Sequence, residues 1–179
     1  MVVTSKPVSA LKPAEKKAFY EGVHAAAHAA GWEAAEAAVL PQYVAVQRAN
    51  PLEDSSEIVK VYWEEPFELI GNSSVQVKGA NKGYGKWLVS SGTGETDTWN
   101  GGACFWVSSF GQSHGRKVAY ASAYADTVKE LLAEAGEEAT VWVWEASGAP
   151  LFAALVTAGL GAVAAVCFGG EARLAVLGG

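Results

Sequence analysis

A cysteine placed directly after a turn of small residues is the side chain in this sequence best suited to chemistry. Cys104 follows Asn100-Gly101-Gly102-Ala103, and two aromatic residues come next. A turn of this kind can present a thiol as a nucleophile, provided that a base or a positive charge stabilises the thiolate near neutral pH. His114 is the only histidine after Cys104. We therefore take Cys104 and His114 as the candidate catalytic residues.

The run from Gly101 to Ser109 resembles the nucleophile segment of papain-like and ovarian-tumour-type cysteine proteases. In those families a glycine-rich turn precedes the cysteine, an aromatic residue follows it, and a helix begins there. The resemblance covers residues 100–177 and implies a peptidase with Cys104 as nucleophile. It departs from the families at Gly101, where they have an acidic residue, and at their late histidine, which has no counterpart here. The final Gly178-Gly179 resembles the end left by self-cleaving viral leader proteases, which implies a degenerate or self-cleaving peptidase cut after Gly179.

Two histidines, His24 and His28, are four residues apart in a predicted helix, so their side chains share one face. Such a pair can hold a metal ion, but zinc proteases add a glutamate beside the first histidine and a third ligand. Alanines fill the positions between these histidines, and Glu21 is the only nearby carboxylate. We interpret them as a packed or solvated pair and predict no metal and no cofactor.

The glycine-rich segment 79–87 contains Lys82 and Lys86 and faintly resembles a phosphate-binding loop. The pattern Gly-x4-Gly-Lys-Ser/Thr fails at Ala80 and again at Trp87. We also expect a strand after the loop, which would leave it without the helix N-terminus that binds phosphate. The segment is therefore interpreted as a hairpin loop.

Seven tryptophans are many for a chain of 179 residues. Tryptophan supplies core area, and it is also enriched at binding hot spots. We predict Trp99, Trp87 and Tyr84 as interface residues. Trp99 lies in a polar loop, so we expect it to be exposed.

The bulk composition narrows the function classes. A formal net charge of −6 argues against nucleic-acid binding through a broad basic face. Two cysteines form no disulfide framework, and residues 1–17 lack the apolar core of a signal peptide, so we expect a cytoplasmic protein. Residues 147–170 carry no charge and are long enough to cross a bilayer, but their alanine and glycine content favours a buried helix and strand. Membrane contact through residues 149–168 is the less favoured alternative.

Hydrophobic periodicity and breaker residues predict the secondary structure. A helix starts at Pro13 and is ended by Gly31, and a short second helix follows over Trp32–Val39. Further helices are predicted over Val118–Ala135 and Leu151–Ala158. Strands are predicted over Ile58–Trp63, Phe67–Ile70, Val75–Lys78, Lys86–Ser90, Thr140–Trp144, Ala162–Phe168 and Ala172–Leu177. Tyr43–Gln47 alternates weakly, and the short apolar run Cys104–Phe110 fits either a strand or a helix.

These elements predict an α+β fold, with a single domain built on a central, mostly antiparallel sheet, helices packed on it and an N-terminal helical arm. Residues 1–50 would form the arm and residues 51–179 the core domain. Because no complete catalytic set is present, we favour a non-enzymatic interaction or assembly protein that binds a protein partner or itself. A component of a viral or other large particle would fit this description. The alternative is the cysteine protease domain described above. Whether the chain is an enzyme therefore stays open, and we favour a protein without enzymatic activity.

Overall fold

The computed structural model describes residues 6–50, 52–53, 55–99, 101–148, 163–168 and 171–176. The fold is α+β, with helices packed on a mostly antiparallel sheet, which confirms the predicted class. The helices are α1 (Pro13–Ala37), α2 (Gly83–Ser90) and α3 (His114–Glu134). The strands are β1 (Tyr43–Arg48), β2 (Ile58–Phe67), β3 (Ile70–Lys78), β4 (Glu95–Asp97), β5 (Gly102–Trp106), β6 (Val141–Gly148), β7 (Val163–Phe168) and β8 (Glu171–Val176).

The chain divides into two compact units that interleave along the sequence. Among the described residues, the first unit contains those up to Ala38, those of Asn72–Gly111 and Arg116–Ala146, and the second contains those of Val39–Gly71, Gln112–Gly115 and those from Ser147 onward. Helix α1 therefore belongs to the same unit as elements from the middle of the chain.

The first unit is built on a four-stranded sheet in the order β4-β5-β3-β6. Strands β3 and β5 pair antiparallel, and alternate residues of β3 point to opposite faces. Val75 and Val77 face the helices and join a buried core that includes Val23, Leu88 and Leu132. The opposite face of this sheet carries polar and aromatic side chains.

Helix α1 begins with Pro13 in the first turn, and the Glu15 carboxylate accepts a hydrogen bond from the Lys12 backbone N–H at 2.8 Å. One buried stripe recurs every four residues along it: Phe19, Val23, Ala27, Gly31 and Ala35. The prediction that Gly31 ends the helix and that a second helix follows is wrong, because the helix continues to Ala37. A side chain at Gly31 would lie 2.9 Å from the Tyr120 ring. Glycine is required there for close packing of two helices.

The predicted strand over Lys86–Ser90 is also wrong, since these residues belong to helix α2. The buried residues of this segment include Tyr84, Trp87 and Leu88, a spacing of three and four that suits a helix. An eight-residue segment with two glycines gives too little periodicity to separate a helix from a strand. Tertiary packing decides between them.

The second unit contains a sheet in the order β2-β1-β8-β7. Strands β7 and β8 pair antiparallel with Phe168 opposite Glu171, which confirms the predicted hairpin. Strand β1 pairs antiparallel with β2 and parallel with β8. The predicted helix over Leu151–Ala158 lies outside the described residues.

The chain before α1 packs against its own unit. Val8 is buried, and its backbone N–H donates to the Ala135 carbonyl at 2.9 Å. Val8 therefore contributes to the core of the first unit.

Candidate functional site

Cys104 lies in the middle of strand β5, on the sheet face opposite the helices. The left-handed turn residue Gly101 precedes the strand, and Cys104 is paired with Gln76 of β3 and Glu95 of β4. The thiol-bearing residue is only 3% exposed. The helix that the protease resemblance implies at this position is absent, because the strand runs on to Trp106 and the next helix begins at His114.

The surroundings of the thiol favour its protonated form. Burial raises the pKa of Cys104, and the carboxylates of Asp97 and Glu95 act in the same direction. Hydrogen bonds from Ser74 and Gln76 oppose this change but do not reverse it. The Gln76 Nε2 atom donates to Cys104 Sγ at 3.1 Å. Reactive cysteines have the opposite arrangement, with positive groups that lower the thiol pKa.

The second predicted catalytic residue, His114, starts helix α3. Its backbone N–H donates to the Leu69 carbonyl at 3.1 Å. His114 belongs to the second compact unit, whereas Cys104 belongs to the first. The side chains that change the pKa of Cys104 are an amide, a hydroxyl and two carboxylates, and none of them is an imidazole.

The two histidines of α1 are a packed pair, as predicted. His24 Nδ1 and the Tyr124 hydroxyl are 2.6 Å apart, and His28 Nδ1 is hydrogen-bonded to the Tyr120 hydroxyl. The two imidazole centroids are 6.0 Å apart. Within the described part of the chain, no group of three or more histidine, cysteine, aspartate or glutamate side chains could hold a metal ion.

One of the tyrosines that contact these histidines, Tyr124, belongs to a buried chain of hydrogen bonds. The hydroxyls of Tyr84 and Tyr124 are 2.7 Å apart, so Tyr124 links Tyr84 to His24. Burial raises the pKa of both tyrosines, while burial and the neighbouring His28 lower the pKa of His24. Neutral His24 is therefore favoured at neutral pH. The signal for this contact was present in the sequence, since both the histidines and the partner tyrosines are spaced by four.

The glycine-rich segment leads into a helix, contrary to the predicted hairpin loop. Helix α2 starts at Gly83, and the Glu137 carboxylate accepts the Tyr84 backbone N–H at 3.0 Å in its first turn. Gly83 has a φ of +55°, and a side chain at this position would clash with Glu137. The helix N-terminus is thus capped by a carboxylate of the same chain.

A groove of about 1390 Å³ lies beside this helix N-terminus. Five lysines line it, namely Lys16, Lys17, Lys78, Lys82 and Lys86. Glu137 occupies the amide at which an anion would bind, and its other oxygen accepts the Tyr20 hydroxyl at 2.6 Å. The Glu137 carboxylate therefore already accepts the hydrogen bonds that a phosphate group would need at this helix N-terminus.

Two tryptophans from different strands meet on the sheet face that carries Cys104. The ring centroids of Trp106 and Trp144 are 5.6 Å apart in an edge-to-face arrangement at 80°. Strand β3 lies between their strands, and its residue opposite Trp106 is the small, buried Ser74. The two tryptophans remain 45% and 41% exposed.

Carboxylates border this aromatic pair. The Trp106 indole N–H donates to Glu95 Oε1 at 2.8 Å. Asp97 follows two positions later on β4, and both residues affect the Cys104 pKa, so both carboxylates lie on this face. We call Glu95, Asp97, Trp106 and Trp144 the acidic–aromatic face.

The floor of the acidic–aromatic face is polar and buried. Gln76 donates from Nε2 to Ser74 Oγ at 3.0 Å as well as to the Cys104 sulfur. Its carbonyl oxygen Oε1 accepts no hydrogen bond from any described residue. Buried polar atoms of this kind are uncommon in native proteins.

The predicted interface residues have different environments. Trp99 is 95% exposed in the turn between β4 and β5, which confirms its predicted exposure, and its backbone N–H donates to Asp97 Oδ1 at 2.8 Å. Tyr84 and Trp87 are only 1% and 8% exposed and stack on each other in the core. Of these three residues, Trp99 alone presents its ring to solvent.

None of the helices in the described part of the chain combines the length and the apolar character that crossing a membrane requires. Comparison with protein-family models, with curated proteins and with solved structures finds no significant match to this chain.

Proposed function

We propose that this chain is a non-enzymatic interaction protein that binds a protein partner through the acidic–aromatic face. The observation that carries the proposal is the edge-to-face pair of Trp106 and Trp144, which lies on a regular sheet yet stays nearly half exposed. Tryptophan is among the residues most enriched at binding hot spots. Two such rings in direct contact form one anchor point rather than two isolated surface residues.

The energetics favour covering these rings. With exposed fractions of 45% and 41%, the pair leaves roughly 170 Å² of side-chain surface in water. Burying that area against a partner would contribute about 4 kcal/mol before the costs of association. Those costs are reduced because the strands, the ring contact and the Glu95 hydrogen bond already restrict Trp106.

A peptidase remains the alternative proposal, and the local chemistry of Cys104 weighs against it. A cysteine nucleophile needs its thiolate near neutral pH. Burial and two carboxylates raise the pKa of this thiol instead. The same carboxylates support binding, because they border the exposed rings.

Matched tryptophan variants test the proposed function. We expect wild type to retain a partner protein in affinity capture and the Trp106→Ser/Trp144→Ser variant to lose it. Trp32→Ser is the control, since it removes a similarly exposed ring from helix α1, outside the face. Circular dichroism establishes that each variant is folded. The proposal fails if wild type retains no protein, or if the double variant retains the same proteins as wild type.

A further inference from the structure

We infer that the group recognised by the acidic–aromatic face is a cationic side chain of the partner, with the arginine guanidinium as the best fit. The inference rests on the proposed function and names the chemistry of its partner. It follows from three features of the face: its carboxylates, its exposed indole rings and the net charge of the chain.

Glu95 provides acceptor positions that the described residues leave available. Glu95 Oε1 accepts one indole N–H from Trp106, and a carboxylate has room for about four hydrogen bonds in all. No ion pair among the described residues involves Glu95. Asp97 lies two positions further along the same strand and face. A donor entering beside Trp106 therefore meets negative charge.

The indole rings provide a surface for the same group. In an edge-to-face pair one ring directs its edge at its neighbour, which leaves aromatic faces free for other contacts. A cation over such a face is attracted to the ring by about 0.5–1 kcal/mol at exposed sites. Guanidinium is planar, so it can stack on an indole while its N–H groups donate to a carboxylate. Lysine offers a point charge without the stacking plane.

Charge also distinguishes a basic partner from a second copy of this chain. Each copy has a formal net charge of −6, and a symmetric contact would place two sets of carboxylates against each other. A basic segment gains from the same field that repels a second copy. An uncharged apolar segment would cover the rings but would add no donor or positive charge beside Glu95.

Short peptides test this inference directly. The probe is acetyl-Gly-Arg-Gly-Arg-Gly-amide, and its citrulline counterpart has nearly the same shape without the charge. We expect the arginine peptide to shift the indole N–H signals of Trp106 and Trp144 in 15N-labelled protein, and the citrulline peptide to bind at least about three-fold more weakly. Trp106→Phe and Trp144→Phe assign the two signals.

A charge-matched pair of variants locates the effect. Glu95→Gln should weaken arginine-peptide binding about three- to ten-fold, whereas Glu130→Gln, an exposed position on α3 with the same change in net charge, should leave it unchanged. Equal binding of the two peptides, or equal effects of the two variants, would overturn the inference. If neither peptide binds but the tryptophan double variant still loses its partner protein, the cationic specificity is wrong and the proposed function stands. If the double variant also keeps its partner, both are wrong.

Discussion

Glu137 connects two helices through one carboxylate, so its replacement tests how the first unit is stabilised. Oε2 accepts the Tyr20 hydroxyl of α1 at 2.6 Å, and Oε1 accepts the Tyr84 backbone N–H of α2 at 3.0 Å. A negative charge at a helix N-terminus is also favourable to the helix dipole. Hydrogen bonds to charged groups contribute about 1.5–3 kcal/mol each. Because the site is only half buried, we take the lower figure for each bond and expect Glu137→Ala to lower the free energy of unfolding by about 3 kcal/mol.

The assay is urea denaturation followed by circular dichroism, with calorimetry for the melting temperature. A loss of about 3 kcal/mol should lower Tm by roughly 6–12 °C in a chain of this length. Glu137→Gln keeps an acceptor for one of the two donors, so about half of the loss is expected. Glu138→Ala is the control, since its exposed side chain should change stability by less than about 0.5 kcal/mol. If the Glu137→Ala and Glu138→Ala variants unfold at the same urea concentration, the carboxylate does not hold α2, and burial of Tyr84 must suffice.

Three further outcomes are expected from single changes. Gly31→Ala should destabilise the protein by about 1–2 kcal/mol in urea denaturation, because the clash with Tyr120 outweighs the gain in helix propensity; a stabilised variant would refute the close packing. Burial is the main cause of the lowered pKa of His24, so the unfolded chain binds a proton at a higher pH than the folded chain does. The contribution of His24 to the free energy of unfolding is therefore fully present above about pH 6.5 and is lost as the pH falls through the lower pKa of the folded state. His24→Gln should flatten that decline in urea midpoints measured between pH 7.5 and 5, and an unchanged slope would contradict the assignment. Cys104 should react with iodoacetamide at neutral pH at least about ten-fold more slowly in the folded than in the urea-unfolded protein, tested with Cys167→Ser to leave one thiol; equal rates would restore the peptidase hypothesis.

Elements with strong local signals were predictable from the sequence. The first and third helices have apolar residues at spacings of three and four, and the β7–β8 hairpin has two alternating segments around a glycine pair. The exposure of Trp99 followed from its polar neighbours. In each case the information lies within about one turn or one strand of the residue concerned.

Elements decided by distant residues were not predictable. The carboxylate that caps helix α2 comes from Glu137, which follows Tyr84 by 53 positions. Gly31 interrupts the sequence pattern of α1 but not the helix itself, since the requirement for glycine comes from Tyr120 on another helix. A single sequence shows that a glycine is present, and only the packing shows whether it ends an element or admits a neighbour.

The acidic–aromatic face required strand register, which composition does not contain. Trp106 and Trp144 are 38 positions apart by their numbering, and they come together because a single strand, β3, separates their strands in the sheet. Alternation along one strand places a residue on a face, but it does not say which residues of other strands share that face. The sequence therefore predicted that tryptophans matter without identifying this pair.

The glycines before Cys104 have a structural requirement that is independent of thiol chemistry. Gly101 adopts a left-handed conformation in the turn between β4 and β5, and a side chain at Gly102 would clash with the Val77 carbonyl of the adjacent strand. The small residues that resemble a nucleophile-presenting turn are thus needed to close a hairpin against β3. A glycine turn beside a cysteine indicates catalysis only where the surroundings also stabilise a thiolate, and around Cys104 the buried amide and the two carboxylates leave the thiol protonated. The same carboxylates, which disfavour a thiolate, are the groups that would attract a basic partner to the neighbouring tryptophans.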